Sequence, residues 1–316
     1  MALSKIQVSS MADNTIHGRR NLIINGSAQC WQRSTSSSST GYTSADRWSY
    51  YAPSSLAISR STDVPTGFQY AISISGGGDS SGITQKIEAS TCKQLVGATI
   101  TVSFYLKQTT GSGTDKIAVA LARANSEDSF GGTTSISSQT ISTTSSYARY
   151  TCTFTSLPSE VANGLQLTIK SNGSGSVVYL ITGVQLEVGQ ATPFEHLSFG
   201  ETLALCQRYY YHTYSYGTPA GTTFNQDYES PIIIIGTGNH GMGVCNGVYP
   251  VEMRVAPALS FYSSDGTANK IRHWGGAHAS YGTVNRSTRQ ILGMSFNAGT
   301  NPEDFYSAAL VCDAEL

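Results

Sequence analysis

The chain is predicted to be all-β: a jelly-roll-like β-sandwich followed by a smaller β-rich C-terminal domain. Three observations predict this. Short apolar runs alternate with a period of two, as in Ala98–Lys107, where Ile100, Val102, Phe104 and Leu106 share one face. Turn-rich breaks recur between such runs, and no helical period of useful length interrupts them. Charged residues make up 12% of the chain, about half the usual ~25%. Serine, threonine, glycine and 18 tyrosines take their place, a composition that suits sheets with neutral outer faces.

The apolar fraction of 39%, taken with 32 glycines, reaches the ordinary globular value of ~45–50%. A core can therefore form, and low charge with many aromatics is the reverse of a disordered composition. The length of 316 residues favours two domains. A soluble monomer usually carries more surface charge, so part of this surface is expected to be covered by copies of the chain or by other proteins. The 19 basic and 20 acidic residues form no long run of either sign. Without a basic stripe, nucleic acid is not an expected partner. No stretch approaches the ~18 apolar residues of a membrane span. Met1–Arg20 has no apolar core of the signal-peptide type, so synthesis in a cytoplasm without conventional export is expected. The six cysteines, at 30, 92, 152, 206, 245 and 312, contain no Cys-x-x-Cys. They read as buried small hydrophobes, and their spacing selects no oxidised pair.

Residues 1–20 are polar and read as an arm with a docking role. Residues 21–197 read as the sandwich. Leu22-Ile23-Ile24 is expected to be a strand and Asn25-Gly26 a turn. Asp46 and Arg47 can pair with Trp48 beside them, pinning the first strand to the last. Ser34–Thr40 reads as a hydroxyl-rich loop, and Gly76–Asp79, Thr109–Thr114 and Gly131–Thr134 as breaks. Alternation predicts strands at Lys116–Arg123, Tyr150–Phe154, Leu165–Ile169, Val177–Ile181 and Val184–Val188. Ser171-Asn172-Gly173-Ser174-Gly175 carries a hairpin signal, since asparagine and glycine accept positive φ. Residues 198–316 read as the second unit. Ser198–Arg208 is either a helix or the lead-in to a strand through Tyr209-Tyr210-Tyr211. Strands are expected at Pro231–Ile235, Tyr249–Arg254, Ala258–Tyr262, Gln290–Phe296 and Tyr306–Asp313. No fixed-period repeat suggests a solenoid or propeller.

Ile232–Gly241 places a Gly-x-Gly-x-x-Gly after an apolar strand, the fingerprint of a dinucleotide site. That site needs a helix after the third glycine. The continuation here, with Gly243, Gly247 and Pro250, favours a strand and a glycine-rich loop. His273, Trp274 and His278 lie close in sequence, but a metal needs three or four converging ligands. No metal or other cofactor is expected. The run Tyr209–Tyr216 supplies aromatic faces that either stack on sugar rings or pack in a core or interface. The ligand-stacking candidates are Tyr214, Tyr216, His273, Trp274 and Tyr281. Asp227 with Glu229, or Glu303 with Asp304, are candidate carboxylate pairs for glycosidase chemistry, but short spacing on a strand does not by itself aim two side chains at one bond. No Gly-x-Ser-x-Gly elbow is present. No catalytic residue is assigned, and the chain is not expected to be an enzyme.

Asn21-Leu22-Ile23-Ile24-Asn25-Gly26, Trp31-Gln32-Arg33 and Asp46-Arg47-Trp48 resemble the start of carbohydrate-binding-module-like jelly-roll domains in tail fibres of tailed bacteriophages. Thr182–Gly189, the Thr192-Pro193-Phe194-Glu195 phrase and Leu205–Tyr210 resemble the end of that domain and the segment after it. The resemblance covers roughly residues 20 to 212. It implies a virion structural protein, often trimeric. The expected function is a short tail fibre subunit that attaches the particle to host-surface glycan, with the arm docked on other virion proteins. A head fibre or capsid decoration protein, and a glycan-depolymerase tailspike, are the alternatives.

Overall fold

The computed structural model describes residues 19–51, 57–76, 81–110, 116–172, 177–225, 233–237, 242–273, 278–279, 283–285, 287–297 and 305–316. The chain is all-β, with a jelly-roll-like sandwich in its first part. The strands of that part are β1 (Ser36–Ser37), β2 (Ser49–Tyr51), β3 (Ala57–Ser61), β4 (Ala71–Gly76), β5 (Gly82–Ile87), β6 (Ile100–Thr110), β7 (Lys116–Ser126), β8 (Ser129–Ser142), β9 (Ala148–Phe154), β10 (Leu165–Ser171) and β11 (Val177–Val188). One sheet runs β1-β3-β4-β11-β6-β9 and the other β2-β5-β10-β7-β8, with every pairing antiparallel. The alternation in the sequence has its cause here. Ile100, Val102, Phe104 and Leu106 of β6, Val119 and Leu121 of β7, and Leu165, Leu167 and Ile169 of β10 are all fully buried between the two sheets. Each such side chain contributes roughly 1.5–3 kcal/mol by leaving water.

Three expectations concerning β8, β10 and β11 are corrected. The hairpin signal after Ser171 does not join paired strands: β10 and β11 belong to different sheets, so the chain there crosses the sandwich. Both strands bury alternate residues in one shared core, and sequence alternation cannot say which sheet a strand joins. Gly131–Thr134, expected as a break, lies inside β8. That strand is an edge that, among the described residues, pairs with β7 alone; most of its residues are exposed, and Gly131 faces open space. An edge strand that packs only Ile136 and Ile141 on the core, both half-buried, offers too short an apolar period to read. Val177–Ile181 and Val184–Val188 form one strand whose register slips between Thr182 and Gln185. Gly183 sits at that bulge with φ +61, and a side chain there would strike the rings of Phe68 and Tyr105.

The later strands are β12 (Tyr210–His212), β13 (Ile233–Thr237), β14 (Met242–Val248), β15 (Ala258–Tyr262), β16 (Ile271–His273), β17 (His278–Ala279), β18 (Thr283–Asn285), β19 (Ile291–Asn297), β20 (Phe305–Ser307) and β21 (Ala309–Asp313). One sheet is β12-β21-β15, the other β17-β16-β20-β13-β14-β19-β18. A second apolar cluster, with Tyr249, Met253, Phe261, Leu292, Met294 and Leu310, lies here. Tyr249–Arg254 is irregular and not a strand: Met253 N–H donates to the Arg289 carbonyl (2.7 Å) and Arg254 N–H to the Arg208 carbonyl (2.8 Å), so tertiary bonds replace a ladder. The expected strand Tyr306–Asp313 divides into β20 and β21, which serve different sheets.

Besides the single turn α1 (Ala89–Cys92), the chain forms α2 (Phe199–Gln207). Ser198 caps α2 and Glu201 returns the bond, a reciprocal capping box. The helix then leads directly into β12, so both readings of Ser198–Tyr211 hold in succession.

Candidate functional site

The sequence phrases around residues 21–26 and 182–195 bond to one another. Asn21 Nδ2 donates to the Val184 carbonyl (3.0 Å), and its Oδ1 accepts from Leu186 N–H (3.1 Å) and Ile23 N–H (3.0 Å). Leu22–Ile24 is thus not a ladder strand. Leu22 N–H donates to the Leu186 carbonyl (2.9 Å), while the next two amides go to side chains, Ile23 N–H to Asn21 and Ile24 N–H to Gln85 Oε1 (2.8 Å). Asn25 takes φ 57 at the turn. A Cβ on Gly26 would lie 2.1 Å from the Val184 carbonyl oxygen, so only glycine lets the two backbones approach.

On β11, Gln185 and Glu187 point away from the sandwich core yet are buried, because the segment after the strand folds back over them. Glu187 accepts from Thr192 N–H (2.8 Å) and Thr192 Oγ1–H (2.6 Å), and Gln185 Oε1 accepts from Glu195 N–H (2.8 Å). Glu195 in turn accepts from Arg20 N–H (3.2 Å) and Asn21 N–H (2.8 Å).

The remaining phrases meet in a buried charge cluster that joins the sandwich to the later strands. Gln32 N–H (3.2 Å) and Nε2 (2.9 Å) donate to Asp46, and Nε2 also donates to the Tyr210 carbonyl (3.1 Å). Arg33 faces Asp46 (3.8 Å), Asp313 (3.1 Å) and Glu315 (3.4 Å), with its guanidinium 3.7 Å from the Tyr210 ring centre. Arg47 bonds Glu315 and donates to the Lys86 carbonyl (2.8 Å). Glu88 accepts from Arg208 (2.9 Å) and from the Tyr209 hydroxyl. The expected Asp46–Arg47 pair is therefore corrected. Arg47 has φ 70, which turns its side chain away from Asp46 toward Glu315. Burial pushes the Asp46 carboxyl up to about 6, against Arg33 and the Gln32 bonds. Burial also disfavours the Glu88 carboxylate, but Arg208 and Tyr209 more than offset it and hold the group below its usual value. Most donors and acceptors of this cluster are engaged, although Arg47 Nε is buried without a hydrogen-bond partner, and the network fixes the geometry of the segments it joins.

The ligand-stacking candidates separate. Tyr214 is 8% exposed and packs against His212 and Phe224, while its hydroxyl oxygen accepts from Gly221 N–H (3.2 Å). Its ring faces are occupied, so it is a packing residue. Tyr216 is 44% exposed, in edge-on contact (5.0 Å between ring centres) with Phe199, itself 43% exposed. The Tyr216 hydroxyl donates to the Gln29 carbonyl (3.2 Å) and accepts from Trp31 N–H (3.0 Å), which holds the ring in place. Phe199 is not legible in the sequence as a site residue, because it opens α2 and only the tertiary fold sets it beside Tyr216. For His273 the structure describes only the backbone, in β16. Trp274 and Tyr281 lie outside the described residues, as do the carboxylate pairs Asp227–Glu229 and Glu303–Asp304. The strand of the glycine fingerprint is β13, and β14 pairs antiparallel to it where a dinucleotide site would need a helix; the loop expected between them, residues 238–241, lies outside the described residues.

A polar groove of about 630 Å³ lies between the edges β8 and β9, lined by residues including Arg123, Gln139, Thr153 and Glu160. A half-buried aromatic group, Phe68 with Tyr105 (5.3 Å) and Phe194 (5.1 Å), covers the outer face of the six-stranded sheet.

The chain matches no protein-family model and no curated protein. Among solved structures it is similar to the enzymatically active domain of bacteriophage CBA120 tailspike protein 4, at 18% identity over 54% of this chain and 21% of that one, with a TM-score of 0.38. It is also similar to a putative sugar-binding protein from Bacteroides thetaiotaomicron, at 13% identity over 54% of this chain and all of that one, with a TM-score of 0.40. A xylan-binding domain from Paenibacillus barcinonensis shows 13% identity over 49% of this chain and 92% of that one, with a TM-score of 0.34.

Proposed function

We propose that the chain is a virion structural protein of a tailed bacteriophage, a short tail fibre subunit that binds host-surface glycan without bond chemistry. The observation that carries glycan binding is the exposed Phe199–Tyr216 pair. Two large rings stand in solvent, one anchored by its hydroxyl, and such rings stack on the apolar faces of sugars. The low charge supports assembly into a trimer, whose many copies would turn weak sugar contacts into avid attachment. The motif resemblance supports the virion setting, with residues 1–20 as the docking arm, 21–197 as the carbohydrate-binding-module-like domain and 198–316 as the trimer-forming or receptor-binding one.

The test is binding of the purified chain to capsular and lipopolysaccharide glycans, with Phe199→Ala beside wild type. Binding that weakens at least tenfold in the variant, at unchanged melting temperature, supports the site. Equal binding by the variant removes it. New reducing ends would replace binding by depolymerisation. Immunolabelling at the capsid would replace the tail fibre by a head fibre. A stable monomer in light scattering at micromolar concentration would remove the trimer.

A further inference from the structure

The contact between the sandwich and α2 contains a pair of sulfurs that the proposed function does not use. Cys30 lies just past the Asn25 turn, its N–H donating to Asn25 Oδ1 (3.0 Å) and its carbonyl accepting from Asp46 N–H (3.0 Å). Cys206 lies in the last turn of α2. Both are free and completely buried, and they share a small apolar cluster with Ile24 and Tyr209. The two Sγ atoms and a carboxylate oxygen of Asp46 lie within 4.8 Å of one another.

We infer that Cys30 and Cys206 are a disulfide-forming pair that covalently joins the sandwich to α2 once the protein meets a disulfide oxidant. Among the described residues, a metal is the poorer fit. A closed metal site takes four ligands, whereas here two sulfurs meet one carboxylate already engaged by Gln32 and Arg33. A disulfide needs the sulfurs alone, and losing two thiol hydrogens adds no charge to the buried site.

With glutathione disulfide as oxidant, one cysteine thiolate attacks a glutathione sulfur, forming a mixed disulfide and releasing one glutathione thiolate. The second cysteine thiolate then attacks the protein sulfur of that mixed disulfide and releases the other glutathione. Two electrons pass from the protein to glutathione, and the two thiol protons end on the two released glutathiones. Burial raises the Cys206 thiol well above its ordinary value, so exchange is slow while α2 is docked and proceeds when it lifts away. A reducing cytoplasm leaves the pair open, and an oxidising surrounding closes it.

The test incubates the full chain with glutathione disulfide or with reduced glutathione, alkylates it under denaturing conditions and maps the peptides. The expected result is four alkylated thiols instead of six, and a peptide joining Cys30 to Cys206, in the oxidised sample alone. The melting temperature should rise by roughly 5–15 °C on closure, because the crosslink closes a long loop of the unfolded chain. Cys206→Ser, which keeps a small buried side chain, should lose both effects. Six alkylated thiols after oxidation, a crosslink between other cysteines, or one zinc ion retained per chain with both thiols protected only by it would each overturn the inference.

Discussion

The guanidinium of Arg47 lies 3.4 Å from the centre of the Tyr209 ring and also bonds Glu315, so a turn of the sandwich, the end of α2 and the segment after β21 meet on one side chain. Arg47 is 1% exposed. Its charge is tolerable there only because Glu315 is bonded to it and the ring face accepts a cation.

Arg47→Ala should therefore cost about 1.5–3 kcal/mol, since Glu315 loses its bond to Arg47 and keeps only the contact with Arg33. Urea unfolding measures this. Arg47→Lys should recover only part of the loss, because an ammonium cannot lie flat on Tyr209. A cost for the alanine variant below about 1 kcal/mol would show that the cluster contributes little.

Gly26→Ala places a methyl group against the Val184 carbonyl. The backbones must separate, breaking the Asn21 bonds to Val184 and Leu186, and a loss of about 1–3 kcal/mol is expected. Amide exchange at Leu186 should accelerate in the variant. Unchanged exchange would mean the segment adjusts without releasing β11.

His212 is buried, with Nε2 at 3.1 Å from the Gln32 carbonyl, and burial holds it below 6.5. The unfolded chain gains a proton near 6.5 that the folded chain refuses. The stability present above about 6.5 is therefore lost as pH falls below it. Asp46 acts in the opposite sense, since its raised carboxyl keeps a proton that the unfolded chain has released. Its contribution is lost as pH rises through about 6. The measurement is thus a difference: wild type minus His212→Gln should fall in stability between pH 7 and 5.5. A flat difference would place His212 in contact with solvent.

Tyr216→Phe keeps the ring and removes the bonds to Gln29 and Trp31. Stability should drop by about 1 kcal/mol, while glycan affinity stays within about twofold. Loss of affinity equal to that of Phe199→Ala would show that the hydroxyl, and not the ring, makes the contact.

The amino-acid sequence by itself determined the all-β class and the inward faces of β6, β7, β9 and β10, because alternation over a buried face is a local property of the chain. It also marked the phrases that hold the sandwich together. What it could not supply was their partners. Arg47 and Asp46 are adjacent, yet Asp46 turns to Gln32 and Arg33 while Arg47 turns to Glu315. Ser171 precedes a turn signal, yet the chain there changes sheets. Tyr214 and Tyr216 differ by two positions, yet one is enclosed and the other stands beside Phe199. Only the tertiary structure decided these, since residues far apart in sequence compete for the same donor, ring or core site, and the winner depends on the three-dimensional approach of whole segments.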